Sequence, residues 1–273
     1  MFILFDIGGT NTCVAISKYG DVIDSVEHFN TPASYVDAMA MLQNVVNKLT
    51  NGEKPEMAAG GIAGILDADK SKLIHSPHLR GWEKENIQKD ISRLVGAPVY
   101  LENDSNLAAL GEATYGSGRD FNIVAYMSVS TGIGGGLVIG KEIVAHNGSC
   151  EPGYQIIDIR SLRTLEDYVS GAALSMRYDL SPDNIKDESV WKDMAHILAV
   201  GVANTIRHWG PDILILGGVV MNKIPIAETE RTTRELLHTK YGPDIVKSST
   251  KDSVLYGALY IVQTKTHKIE QEI

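Results

Sequence analysis

The chain has 273 residues, 44% hydrophobic and 22% charged, with a formal net charge of −9 at pH 7. That is length enough for two compact domains with real cores, and the hydrophobic share excludes a disordered chain. The acidic balance argues against a nucleic-acid partner, and no apolar run is long enough to span a bilayer as a helix.

Met1 to Phe5 is too short for a signal h-region and leads straight into a turn. The only cysteines, Cys13 and Cys150, are far apart and form no CxxC pair. They fit a reducing, cytoplasmic setting. An opening meander is predicted, with strands over about 2–7, 12–18 and 21–28. Its first turn reads Asp6-Ile7-Gly8-Gly9-Thr10-Asn11-Thr12. Glycine lets backbone N–H groups approach an anion, and Thr10 and Thr12 can add hydroxyl donors. Asp6 sits where a carboxylate could hold Mg²⁺ through water, facing phosphates. An ordinary hairpin turn is the alternative reading.

A helix follows over about 32–50, opened by Thr31-Pro32 and closed by Asn51-Gly52. Met57 to Ile62 is a buried-type strand, and Trp82 to Val95 a mainly polar helix with one apolar face. His75 and His78 fall in a loop-like segment without a partner cluster for a metal, as surface or cleft histidines. The strand Pro98 to Leu101 runs into Glu102-Asn103-Asp104-Ser105-Asn106 and then a helix-like stretch. Asn, Asp and Ser are preferred helix caps, and one of them serves as the cap. Capping takes one side chain, and a carboxylate at such a strand end could accept a proton from an attacking hydroxyl.

The second half repeats the order. Strands are predicted near 122–129, 133–140 and 142–145, with Ser130-Thr131-Gly132-Ile133-Gly134-Gly135-Gly136 at the first turn. A flexible hairpin is again the alternative. Neither cluster has a P-loop lysine or the strand-turn-helix setting of a dinucleotide fingerprint. Two phosphate-type hairpins suggest a duplicated domain gripping a nucleotide between its halves. A long helix over 188–209 carries core-type Met and Trp positions, a strand covers 213–216, and residues 268–273 read as a frayed end.

These residues, in this order, resemble the ROK family of sugar kinases, within the actin/hexokinase superfamily. Asp6 to Thr10, Gly61 to Gly64, Ser76 to Trp82, Glu102 to Glu112, Thr131 to Gly136, Glu151 to Tyr154, Leu165-Glu166 with Ser170-Gly171, and Pro211 to Gly218 carry the likeness along nearly the whole chain. The fold expected is α/β, two ribonuclease-H-like (actin-like ATPase) domains with a cleft between them. The expected boundaries are 1–106 plus 253–273 and 107–252, with a C-terminal helix, 253 to about 265, returning to the first domain. The expected chemistry is phosphoryl transfer from ATP-Mg²⁺ to a sugar hydroxyl, with Asp104 as general base. The resemblance implies that Gly64, Asn103, Glu151, Tyr154 and Glu166 meet the sugar. It also implies that Gly8, Gly9, Thr10, Thr12, Thr131, Gly132 and Gly134 meet phosphates, and that Gly217 and Gly218 pass near the adenosine. Similar proteins are often homodimers.

Two departures stand out. The family usually has a histidine where this chain has Tyr154, followed by a three-cysteine zinc motif. Residues 156–164 contain no cysteine, so no structural zinc of that type is expected. This zinc-free pattern resembles a branch that includes N-acetylmannosamine kinases. The competing reading is a non-catalytic sugar sensor on the same fold. Such sensors carry an N-terminal helix-turn-helix, for which this sequence leaves no room ahead of the first turn. An actin-like ATPase and a dinucleotide enzyme fit less well, given the Glu-Asn-Asp sugar signature and the absence of a Gly-x-Gly-x-x-Gly helix start.

Overall fold

The computed structural model describes residues 1–144, 150–239 and 242–271. The chain opens with the antiparallel strands β1 (Phe2–Ile7), β2 (Asn11–Ser17) and β3 (Ser25–Asn30). β3 begins later than the predicted residue 21. Lys18 N–H donates to Asp24 and Gly20 N–H to Ser17, which folds residues 18–24 into a long turn. Helix α1 (Tyr35–Thr50) starts on the side chain of Ser34, its N-cap, and stops at Asn51 with φ 49°.

Strand β4 (Met57–Ile62) is buried at every residue. The short pair β5 (Ile65–Leu66) and β6 (Leu73–His75) makes a small flap. Helix α2 (Ile87–Val95) is shorter than predicted, because Asn86 caps it and residues 82–86 are left as turns. Strand β7 (Val99–Asn103) runs directly into α3 (Asp104–Thr114). β1 and β4, and β4 and β7, pair in parallel, giving the sheet order β3-β2-β1-β4-β7.

The second sheet has the same plan. β8 (Ile123–Val129), β9 (Ile133–Ile139) and β10 (Glu142–Ile143) form its antiparallel part. The predicted end of the third strand, residue 145, lies outside the described residues. The hairpin β11 (Ile156–Asp158) and β12 (Arg163–Thr164) follows, then α4 (Glu166–Val169), α5 (Gly171–Tyr178) and the long α6 (Glu188–Trp209). Strand β13 (Ile213–Gly217), helix α7 (Ile226–Leu237) and strand β14 (Asp244–Lys247) complete the order β10-β9-β8-β13-β14. Helix α8 (Ser253–Gln271) reaches past the predicted residue 265, and residues 272–273 of the expected frayed end lie outside the described residues.

Helices α3 and α8 lie against each other between the two sheets, with α8 touching β1 and β4 and α3 touching β8 and β9. One apolar core runs through this junction. It joins Leu4 and Ala59 of the first sheet to Val124 and Ile215 of the second through Leu107, Leu110, Leu255 and Leu259. The small residues Gly111 and Gly257 let the two helices approach, since a Cβ at either would come within 2.1 Å of the other helix's backbone. Two further cores lie on the outer faces of the sheets, one against α1 and α2, the other against α6. Strand ends of both sheets therefore open toward a common cleft.

Candidate active site

The cleft has a volume of about 460 Å³. Its floor is the end of the first sheet. Asp6 near the end of β1 is level with Gly61 of β4, and Ile62 is level with Asn103 of β7. Gly61 keeps this level open, because a Cβ there would lie 3.0 Å from the Cα of Asp104. Asp6 and Asp104 thus face the cleft across a glycine.

Asn103 is the N-cap of α3. Its Oδ1 accepts from Asn106 N–H at 3.0 Å and its Nδ2 donates to the Gly64 carbonyl at 3.0 Å. That joins the cap to the predicted sugar-side loop. Glu102 sits behind, accepting from Asn103 N–H and Asn106 Nδ2, and it is paired with Lys70 from the turn between β5 and β6. Because Asn103 caps the helix, Asp104 does not have to. The Asp104 carboxylate accepts from Ser105 N–H at 2.7 Å and Ser105 Oγ at 3.4 Å, and it lines the cleft.

Burial pushes Asp104 up to about 6, against the pull of the Ser105 donors. A base with that value works near neutral pH. Burial also pushes Asp6 up to about 8, reinforced by the negative charges of Asp104 and Asp252. Asp252, just ahead of α8, was not anticipated. Nothing in its local sequence separates it from an ordinary acid at a helix start.

Among the described residues no lysine or arginine lines this cleft. The mutual repulsion of hard oxygen donors there suits a divalent cation. Mg²⁺ would be held by Asp6 through water together with phosphate oxygens, and it would supply charge neutralisation.

The walls carry the two glycine turns. Gly8, Gly9 and Thr10 line one side, and Thr131, Gly132 and Gly134 the other. The first turn is closed by Gly8 N–H to Asn11 O and by the Thr31 hydroxyl to Gly8 O at 2.7 Å. In the second, a Cβ at Gly134 would lie 2.2 Å from Ser105 Oγ, so this turn rests directly on the start of α3.

Glu151, Tyr154 and Glu166 close the remaining side with Gly64. Glu166 Oε2 accepts Ile133 N–H at 2.6 Å, which fixes it to the second turn. Tyr154 is 44% exposed and lies on the cleft lining. Burial raises its hydroxyl, as do the charges of Glu166 and Glu151.

Three predicted residues are not brought into the cleft. Thr12 is 2% exposed, and its hydroxyl pairs with Thr31 at 2.8 Å. Strand alternation turns it away from the anion side, where it braces the turn from behind. Gly217 packs on the Tyr126 ring and Gly218 under the Val129 carbonyl. They lie beside Val219, which lines both the cleft and an adjoining hollow of about 230 Å³. Thr131 is also shared by the two, and Gly171, Ala172, Ser175 and Lys223 form the rest of that hollow with Pro182, Asp183 and Val220.

The model of the ROK family matches residues 3–265 of the chain. The chain belongs to the ROK family.

Among ROK proteins it is 26% identical over 258 residues to the glucokinase of Streptomyces coelicolor, covering 78% of this chain and 80% of that one. It is 27% identical over 194 residues to a provisionally assigned xylose repressor of Caldicellulosiruptor, covering 58% of this chain and about half, 48%, of the repressor. The crystal structure of a ROK glucokinase from Streptomyces griseus, in complex with glucose and AMPPNP, superposes with a TM-score of 0.82 at 23% identity, covering 95% and 98% of the two chains. The fold is therefore the duplicated actin-like ATPase fold expected for a ROK protein. Among the described residues no helix is long and apolar enough to cross a membrane.

Proposed function

We propose that this ROK protein is an ATP-dependent sugar kinase acting on the C6 hydroxyl of a hexose or N-acetylhexosamine. The observation that carries the reading is Asp104. It is a carboxylate relieved of capping duty, recessed between two glycine turns, and poised near neutral pH by its burial. In the reaction the C6 oxygen attacks the γ-phosphorus while Asp104 takes the hydroxyl proton. The bond from that phosphorus to the β–γ bridging oxygen breaks, and ADP leaves. The glycine turns supply backbone donors to the phosphates, and the hollow beside Val219 receives the adenosine.

Asn103, Glu151, Glu166 and Tyr154 hold the sugar's other hydroxyls. The likeness of Tyr154 and of its cysteine-free surroundings to the zinc-free branch makes N-acetylmannosamine the first candidate and glucose the second. The stretch that carries zinc ligands in other members is closed here by side chains. Asp158 accepts from Arg160 N–H at 2.9 Å, Ser161 Oγ at 2.5 Å and the Tyr168 hydroxyl at 2.9 Å. The guanidinium carbons of Arg163 and Arg177 lie 5.8 and 5.7 Å from the centre of the Tyr168 ring. We propose that this network does the work of the missing metal.

The test is ADP release, by a coupled assay, over glucose, mannose, fructose, N-acetylglucosamine, N-acetylmannosamine and β-glucosides. Turnover on one of these establishes the kinase. Folded protein that binds a sugar but turns over none of them would mark a non-catalytic sensor; some ROK relatives are named xylose repressors.

A further inference from the structure

Phosphoryl transfer builds negative charge on the transferred group, and enzymes answer it with cationic or polar donors as well as metal ions. Lysine and arginine are the usual donors, and among the described residues neither lines this cleft. Among its described lining residues only His75 and His78 can carry a positive charge. They are placed differently. His75 ends β6 beside the Gly64 loop, on the sugar side, where its backbone carbonyl lies 2.7 Å from the space a Cβ on Gly64 would take.

His78 stands between the two glycine turns. A Cβ added to Gly9 would lie 2.3 Å from the Cβ of His78, so the absence of a side chain at Gly9 makes the seat for this histidine. At the other end, a Cβ added to Gly132 would lie 3.4 Å from His78 Nε2. The imidazole thus spans from the first phosphate turn to the second. The backbone around it is well anchored. Ser76 Oγ donates to the Ala63 carbonyl at 2.8 Å and accepts Leu79 N–H at 3.1 Å. Leu79 and Trp82 are buried at 3% and 1% exposure. His78 is the exposed residue held between these fixed points, and among the described residues it makes no hydrogen bond. An anchored, unpartnered donor between two anion-binding turns is arranged for a ligand oxygen.

We propose that His78 is a catalytic residue that donates an Nε2–H hydrogen bond to a non-bridging oxygen of the γ-phosphoryl group. The inference rests on the kinase reading above. His78 neither gains nor loses a proton in the step. It stabilises charge on the group in transit, while Asp104 takes the proton of the sugar hydroxyl and the β–γ bridging oxygen leaves with the electron pair of the broken bond.

The test compares Mg²⁺ complexes of AMPPNP and ADP, titrated by calorimetry into the wild type, His78→Ala and His78→Gln. The side chain is exposed, so neither variant disturbs a core. His78→Ala is expected to bind AMPPNP at least about tenfold more weakly, the worth of one hydrogen bond to a charged group, and ADP within about twofold of wild type. On the sugar that is turned over, kcat falls at least as far, and the KM for that sugar stays in place. Glutamine sets an amide N–H near the position of Nε2 and recovers most of the AMPPNP affinity. Equal weakening of both nucleotides, or of neither, overturns the proposal and leaves the kinase reading intact. A wild type that binds neither nucleotide overturns both together.

Discussion

The two sheets share one strand order, yet their matching edge strands end in opposite ways. β7 of the first sheet runs into Asn103 and Asp104, and its helix α3 begins with a carboxylate turned to the cleft. β14 of the second sheet ends in Lys247 and is followed by Ser248 and Thr250. Those hydroxyls turn to Glu112, which lies near the far end of α3 and is fully buried. Glu112 Oε1 accepts from Ser248 Oγ at 2.6 Å, Thr250 N–H at 3.0 Å, Ser253 Oγ at 3.2 Å and the Thr250 hydroxyl. Its Oε2 accepts Ser117 N–H at 3.0 Å.

One scaffold thus carries two carboxylates on the same helix. The one at the N-terminus has few donors and a raised pKa. The one near the C-terminus is saturated with donors. Burial alone would raise Glu112, but the hydroxyls of Ser248 and Thr250 and the N–H groups of Ser117 and Thr250 outweigh it and hold it below the usual carboxylate value. On the proposed kinase reading the first exchanges a proton, while the second keeps its charge.

The sharpest way to break that contrast is at the first carboxylate. Asp104→Asn keeps the shape and removes the base. The expected loss in kcat is roughly 10²–10⁴-fold, with sugar binding by calorimetry largely retained. A variant with near wild-type kcat would reduce Asp104 to a spectator of its own helix start.

At the second carboxylate the expected effect is on stability. Glu112→Ala strands several buried donors, a loss of about 3 kcal/mol or more. For a chain of this size that lowers Tm by roughly 5–10 °C. Because the folded-state pKa of Glu112 lies below its ordinary 4.5, its contribution is fully present above that value and fades as pH falls through the lowered one. Thermal melts of wild type and Glu112→Gln should therefore differ most at pH 7 and converge in acid. A gap that stays constant down to pH 3 would show that the clamp does not depend on charge.

The contrast was only half legible in the sequence. α6 could be read to its ends, since an apolar stripe at helical spacing lies between the Asp187 cap and Gly210. The glycine turns and the Glu102 to Asn106 stretch announced the cleft because they concentrate polar and small residues after apolar strands. Helix α7 gave no such stripe. It buries Thr229 and Thr233, whose hydroxyls bond back to the Pro225 and Thr229 carbonyls, so its inner face is polar by composition. Thr12 looked like a phosphate ligand because its strand direction cannot be fixed without the register that pairs it with Ile7. Asp252 and the partners of Glu112 are distant in sequence from what they act on, and no local pattern could have joined them.

A smaller effect is expected at the β11–β12 hairpin, around Asp158. Hydrogen bonds from the Ser161 hydroxyl, the Arg160 N–H and the Tyr168 hydroxyl hold this surface carboxylate down at about 2. Asp158→Ala should loosen the segment that leads into Glu166 and raise the KM for sugar a few-fold, with kcat nearly unchanged. Elemental analysis of the dialysed wild type should find no stoichiometric zinc. About one zinc per chain, lost with folding on chelation, would mean that ligands outside this hairpin were overlooked.

The smallest signal is expected from the whole molecule. The two turns sit on different sheets, and the shared layer of α3 and α8 is the natural axis for moving one sheet against the other. Water standing in the place of the sugar hydroxyl would hydrolyse ATP, so a kinase of this plan gains by assembling its site only when sugar is present. Saturating the protein with its sugar should give a slight compaction in small-angle scattering, and ATP hydrolysis without sugar should stay slow. The Glu112 clamp ties α3 to the second sheet through Ser248, whose N–H donates to the Leu216 carbonyl at 2.9 Å, so α3 should travel with that sheet. Scattering that is indifferent to sugar, together with ATP hydrolysis equally fast in its absence, would make the two turns a fixed ATPase site. The difference between the two carboxylates of α3 would then have nothing to do with a sugar hydroxyl.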